Sequence, residues 1–155
     1  MKSFEQSFKV NCSIDKVWKF YTDIKHLEIV TPPNLNLKVI ETSDKQIVKG
    51  LRMTISGRLF LYNSKWNSII SLVDISKHMY IDEMVKGPFK KWKHVHLFSD
   101  IGKNHSLVTD TIEFELPFFL LGKLMEGYIG YNLMKIFEYR KIQTVNILSN
   151  KSDDE

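Results

Sequence analysis

The feature that most constrains this chain is its last third, where a helical pattern runs from about Phe119 to Leu148 after Leu116-Pro117. At about a hundred degrees per residue, Leu121, Met125, Tyr128, Ile129, Leu133, Ile136 and Tyr139 gather on one side, with Lys123, Glu138 and Lys141 opposite. The pattern persists in spite of Gly127 and Gly130, each unfavourable inside a helix. So wide an apolar stripe must be covered, and the only large surface the rest of the chain can offer is a sheet.

The segments before it do read as strands. From Ser3 to Asn11, Phe4, Gln6, Phe8 and Val10 share one parity and Glu5, Ser7 and Lys9 the other, the period of a half-buried strand. Ser13 can then cap a short helix whose apolar face is Val17, Trp18, Phe20 and Tyr21. A second helical piece, Ile24 to Ile29, runs into Thr31-Pro32-Pro33, where consecutive prolines end it. Six strand patterns follow: about Leu37 to Thr42, Leu51 to Leu59, Tyr62 to Val73, Met79 to Val85, Trp92 to Phe98 and Leu107 to Glu115. Their separators are Ser43-Asp44-Lys45, Leu61 with Asn63 nearby, Asp74 to Lys77, Gly87-Pro88 and Gly102-Lys103-Asn104, short connections that favour antiparallel neighbours.

Composition narrows the class. A chain of 155 residues suits one domain, here 1–149, with the polar tail 150–155 expected to be disordered. With 43% hydrophobic and 26% charged residues, and no apolar run of bilayer length, no transmembrane segment is expected. The N-terminus alternates polar and apolar residues instead of carrying the apolar core of a secretion signal, and the single cysteine, Cys12, cannot form an intramolecular disulfide. Both point to a cytoplasmic protein. The net charge of +4 is mild and spread out, apart from a cluster at Lys86 to Lys93, so no nucleic-acid partner is expected. Lys86, Lys90, Lys91 and Lys93, interleaved with Phe89 and Trp92, suit either an anionic partner or a solvated strand face. Gly-rich phosphate loops, a nucleophile elbow, CxxC and HExxH are all missing from the sequence.

The order strand, two short helices, six strands, long helix resembles the helix-grip fold of the START/Bet v1-like (SRPBCC) superfamily. So does a set of motifs: Thr31-Pro32-Pro33, Gly50, Trp66, Asp82, the run Gly87-Pro88-Phe89-Lys90-Lys91-Trp92-Lys93-His94-Val95-His96-Leu97-Phe98, Thr109-Asp110, Leu116-Pro117 and Phe137-Glu138-Tyr139-Arg140. The pattern is similar to that of a bacterial and archaeal branch described as ligand-binding or as polyketide cyclase- or dehydrase-like. The resemblance implies an α+β fold, with a seven-stranded curved antiparallel sheet wrapped around the C-terminal helix. It also implies a cavity between the two, used across the superfamily for lipids, polyketides, hormones and quinone-like molecules.

Strand parity locates the chemistry such a cavity could hold. Trp92, His94, His96 and Phe98 share one face of their strand; Tyr80, Asp82 and Met84 share one face of the neighbour on one side, and Val108, Asp110, Ile112 and Phe114 one face of the neighbour on the other. Arg140 falls on the apolar stripe of the helix, with Asn132 and Gln143, and needs a partner if buried. Asp82, Asp110, His94, His96 and Arg140 then admit three readings: a structural network of paired charges, polar anchors for one oxygenated end of an apolar ligand, or a His/Asp general acid/base pair. The expected apolar wall is Trp66, Tyr80, Met84, Trp92, Phe98, Ile112, Phe114, Met125, Tyr128 and Ile129. His-x-His brings two imidazoles to one side, about 7 Å apart at the backbone, but a metal would need Asp82 or Asp110 as a third ligand, and neither a metal nor another cofactor is expected. The expected function is carriage or sensing of a lipid, polyketide, isoprenoid or quinone-like molecule. A cyclase or dehydratase, and a protein-interaction module like the related co-chaperone domains, remain alternatives.

Overall fold

The protein is seen here in a computed structural model that describes residues 1–59, 62–117 and 119–149, without the side chains at 59, 119–124 and 126. The turn at Leu61, the side chains of Leu121 and Lys123 and the tail 150–155 lie outside the described residues.

The elements come in the expected order: β1 (Lys2–Val10), α1 (Ile14–Thr22), α2 (Lys25–Ile29), a 3-10 turn (Pro33–Leu35), β2 (Lys38–Thr42), β3 (Arg52–Leu59), β4 (Tyr62–Asp74), β5 (Met79–Lys86), β6 (Lys91–Asp100), β7 (Ser106–Glu115) and α3 (Phe119–Ser149). Where they are described, the other separators read from the sequence fall between strands or at a strand's end, whereas Asn63 lies inside β4; the Gly102-Lys103-Asn104 corner adopts φ of 79°, 55° and 58° in succession. Ser13 does sit at the N-cap of α1 in extended conformation, but its hydroxyl makes no capping bond; its carbonyl accepts from the Val17 amide.

The strands form one antiparallel sheet in the order β1-β7-β6-β5-β4-β3-β2. Chain neighbours are therefore sheet neighbours from β2 to β7, and β1 joins the far edge through β7. Register shifts at Asn67/Ser68 and Ile70/Leu72, where β4 pairs with β5, and at Val39/Glu41 in β2 add local bend and twist, which curls a sheet. Inner faces follow the predicted parities: on β6, His94, His96 and Phe98 are buried, and on β7, Ser106, Val108, Asp110, Ile112 and Phe114 are buried.

Helix α3 differs from its expected orientation. The line it buries is Ile129, Leu133, Phe137, Arg140 and Thr144, one residue every three or four, whereas Met125 and Tyr128 are 43% and 47% exposed. Ile136 and Tyr139 are half-buried at the border. Apolar residues ring this helix, with Tyr131 and Met134 exposed as well, so angular clustering alone could not choose the face. Packing chose it: Ile129, Leu133 and Phe137 join Ile112, Phe114 and Phe89 in one apolar cluster, each such side chain contributing about 1.5–3 kcal/mol on burial. A larger cluster, from Phe8 and Val10 through Phe20 and Tyr21 to Ile70, Tyr80 and Phe98, fills the end where α1 and α2 close the sheet.

Candidate functional site

Between these two clusters lies a polar centre on the inner face of β5, β6 and β7. Sheet register builds it: Asp82 stands opposite His94, and His96 stands opposite Asp110. Arg140 comes down from α3. His94 Nε2 donates to Asp110 Oδ1 at 2.9 Å, and His96 Nδ1 lies 3.0 Å from the same oxygen. The Arg140 Nε is 3.3 Å from Asp110 Oδ2, an ion pair that misses hydrogen-bonding alignment, and its Nη2 donates to His96 Nδ1 at 3.3 Å. His96 Nδ1 therefore sits between the guanidinium and the carboxylate. Tyr80 stacks on His96 with ring centroids 4.1 Å apart, and the guanidinium carbon lies 4.8 Å from the Tyr21 ring centre.

His94, His96, Asp110 and Arg140 are all buried, Asp110 completely and Arg140 to 7% exposure. Burial opposes the charged form of Asp110, yet Arg140, with His94 and His96, outweighs it and holds the carboxyl well below the usual carboxylate range. Asp110 likewise keeps the Arg140 guanidinium charged despite desolvation. His96 goes the other way: burial, and His94 beside it, push its imidazole well below the ordinary histidine value, so it is neutral. Burial pushes the Tyr21 hydroxyl up to about 12, and it stays protonated in a 2.7 Å hydrogen bond with Thr144. Asp110 and Arg140 are thus a buried ion pair flanked by imidazoles, which is the structural-network reading of these residues.

Asp82 stands apart from the network. Its Oδ1 is buried without a hydrogen-bond partner, and burial raises its carboxyl above the ordinary value against the opposing influence of His94. It faces open space. A cavity of about 370 Å³ lies between the sheet and α3, walled by Ile55, Trp66 and Met84 from the strands, Phe89 and Trp92 around the start of β6, and Leu133, Ile136 and Phe137 from α3. Leu27, Thr31, Pro32 and Leu35 close its front. A second chamber of about 70 Å³ lies under α1 and α2, lined by Tyr21, Ile24, Ile70, Tyr80 and His96 among others. Asp82, His94, Arg140 and Leu27 line both spaces.

The expected site residues therefore divide. Trp66, Met84, Trp92, Asp82, His94 and Arg140 wall the large cavity, while Tyr80 and His96 line the small chamber. Asp110 sits behind them, holding the imidazoles and the guanidinium. Phe98, Ile112, Phe114 and Ile129 are packed in the two apolar clusters and line neither space. Met125 and Tyr128 are exposed on α3, so their assignment to the wall is corrected. Residues missed by parity come from loops and helices, where period-two reasoning has no purchase: Leu27, Thr31, Pro32, Leu35 and Phe89. One signal was readable. Gly57 inside β3 marks a close approach, since a Cβ there would lie 3.2 Å from the Trp66 ring and 3.3 Å from the Leu35 carbonyl oxygen.

Two other possibilities lose ground on geometry. His94, His96 and Asp110 each bring a ligating atom within 4.8 Å of the others, but an ion there would have to break the bond from Arg140 to His96 and sit beside the guanidinium. The lysine cluster is half matched by carboxylates, because Lys90 and Lys91 share Glu115 and Lys93 pairs with Glu113. Among the described residues, no helix is long and apolar enough to cross a membrane.

No protein-family model matches the sequence, and no curated protein matches it by sequence. Solved structures do match. A protein of Thermus thermophilus superposes with a TM-score of 0.74 at 14% identity, covering 97% of this chain and all (100%) of that one. Norcoclaurine synthase of Thalictrum flavum, solved with dopamine and hydroxybenzaldehyde, gives 0.71 at 16% identity over 99% of this chain and 89% of that one. A START superfamily protein of Mycobacterium smegmatis gives 0.71 at 9% identity over 96% and 97%. The chain has a START/Bet v1-like helix-grip fold. In helix-grip terms, α3 is the gripped helix, and the large cavity is the space left where its apolar face does not reach the sheet. At such identities the likeness establishes the fold alone.

Proposed function

We propose that this helix-grip protein binds a small, largely apolar molecule in the cavity between sheet and α3, as a carrier or sensor. The supporting observation is the cavity of about 370 Å³, which falls within the roughly 300–1,000 Å³ of small-molecule sites and has mostly apolar and aromatic walls around a few convergent polar groups. A lipid, polyketide, isoprenoid or quinone-like molecule of cytoplasmic origin suits such walls. Trp66 and Trp92 offer flat aromatic surface, Met84 an adaptable one, and Asp82, His94 and Arg140 a polar inner end. Native mass spectrometry of the freshly purified protein, followed by organic extraction, tests the proposal. A stoichiometric apolar passenger is expected; a protein that is empty, with a dry core filled by side chains, overturns it.

One observation favours an enzyme as second reading. Asp82 and His94 face the same cavity, and Asp110 orients the imidazole through Nε2, as an acid/base pair for cyclisation or dehydration of a carbonyl compound would need. Replacing His94 by Ala should then abolish turnover of a carbonyl substrate while the fold survives; turnover that persists removes this reading.

A further inference from the structure

The small chamber and the large cavity meet at three polar side chains, Asp82, His94 and Arg140, and their chemistry is one-sided. Arg140 supplies only N–H donors and carries a full positive charge. Its counterion, Asp110, is spent on it from behind and lines neither space. His94 has already committed one ring nitrogen to Asp110. The remaining polar group is Asp82, whose side chain borders both spaces, with Oδ1 buried and unpartnered and the Ser68 hydroxyl hydrogen-bonded to the carboxyl. An ionised Asp82 would have drawn the mobile end of a cationic side chain, but Arg140 is 3.3 Å from Asp110 and no ion pair to Asp82 occurs among the described residues. The other cations that line the large cavity, Arg58 and Lys135, are both exposed, Lys135 over the Tyr131 ring. A carboxyl group left in an apolar wall without a cation is kept as the neutral acid, and a neutral acid donates a hydrogen bond. Burial does push Asp82 in that direction.

We propose that the molecule bound in this cavity carries a carbonyl group at its inner end, whose oxygen is received at the junction of the two spaces by the Asp82 carboxyl and the Arg140 guanidinium. This rests on the cavity reading and adds the chemistry of the ligand's buried end. A carbonyl has two lone pairs and no proton, which matches two donors converging from opposite sides, from β5 and from α3. An ammonium at the same place would face the guanidinium, and its acceptors would be an Asp82 forced to ionise or the second ring nitrogen of His94.

A trio of nearly isosteric probes tests it by calorimetry: 2-acetylnaphthalene, 2-ethylnaphthalene and 1-(2-naphthyl)ethylamine, each titrated into the full chain after removal of any passenger. The ketone is expected to bind at least about tenfold more tightly than the hydrocarbon, the gain of the first of its two hydrogen bonds in a desolvated site, and the amine more weakly than either. Asp82→Asn keeps an N–H donor and should hold the ketone within about threefold, whereas Asp82→Leu, which leaves Arg140 as the single donor, should weaken the ketone by more than that and leave the hydrocarbon unchanged. Equal binding of ketone and hydrocarbon, preference for the amine, or a ketone advantage that Asp82→Leu leaves undiminished overturns the assignment while leaving the cavity reading intact. Failure of all three probes to bind overturns the assignment together with the cavity reading on which it rests.

Discussion

Removing Asp110 should cost more than removing any wall of the cavity, because its partner cannot discharge itself. Arg140 is 7% exposed and stays protonated at any accessible pH, so Asp110→Asn strands a buried guanidinium whose Nε lay 3.3 Å from the lost carboxylate. Breaking a buried pair from one side typically costs about 3–5 kcal/mol. Arg140→Met leaves an escape, since a stranded Asp110 can take up a proton: raising its pKa from near 4 to 7 costs about 4 kcal/mol at neutral pH, which caps the loss. The double replacement removes both charges, retains an amide oxygen at position 110 for His94 and keeps apolar bulk beside Phe137, so it should return to within about 1–2 kcal/mol of the parent. Urea unfolding followed by far-ultraviolet circular dichroism gives every corner of the cycle. Single losses under about 1 kcal/mol, or losses that simply add in the double variant, would refute the claim that this pair neutralises itself in the core.

Further outcomes follow from the same geometry. Gly87→Ala puts a Cβ 2.4 Å from Met84 Sδ and 2.6 Å from Trp66 Cβ; Met84 can swing aside but Trp66 Cβ is fixed to β4, so a loss of about 1–3 kcal/mol in urea unfolding and weaker ligand binding are expected. Stability should rise with pH below about 6.5, because the unfolded chain protonates His96 there while the native state, its pKa held well below that value, does not; His96→Gln should flatten this slope in melts between about pH 5 and 7. Asp110 acts lower down: its pKa is depressed in the native state, so its contribution is complete above the ordinary carboxylate value of about 3.9 and is lost as pH falls beneath it. Asp82 has the opposite sign, its raised native pKa favouring the fold at low pH and losing that advantage as pH rises through the native value, so Asp82→Asn should improve stability at neutral pH in the same urea assay.

How much of this could be read beforehand depended on which residues carried a period. Alternation on β6 put Trp92, His94, His96 and Phe98 on one face, and the structure keeps them there, because in a sheet one face is a whole-strand property. Arg140 stood out as a charge on an apolar stripe, and it is indeed buried. Which aspartate would pair with it was not readable: Asp82 and Asp110 have equivalent parities on strands either side of β6, and only register and the approach of α3 give the guanidinium to Asp110. The acidic partners of these lysines were within reach of the sequence, since antiparallel β6 and β7 set Lys93 across from Glu113 and Lys91 across from Glu115. Helix α3 defeated the angular argument because Met125, Tyr128, Tyr131 and Met134 make its outer side apolar too. The cavity was implied by the resemblance, but strand parity could not draw its outline, which is the volume that side chains on several separate elements fail to fill.

The methionines offer the most direct test that a ligand enters that volume. Met84 lines the large cavity and Met53 the small chamber, whereas Met125 and Met134 are 43% and 50% exposed on the outer side of α3. In spectra of protein carrying carbon-13 methionine methyls, titration with 2-acetylnaphthalene should move the Met84 signal, and through the shared wall the Met53 signal, saturably at one ligand per chain, with Met125 and Met134 unmoved. Saturable shifts confined to Met125 and Met134, with Met84 still, would contradict the account and place binding on the outer face of the helix.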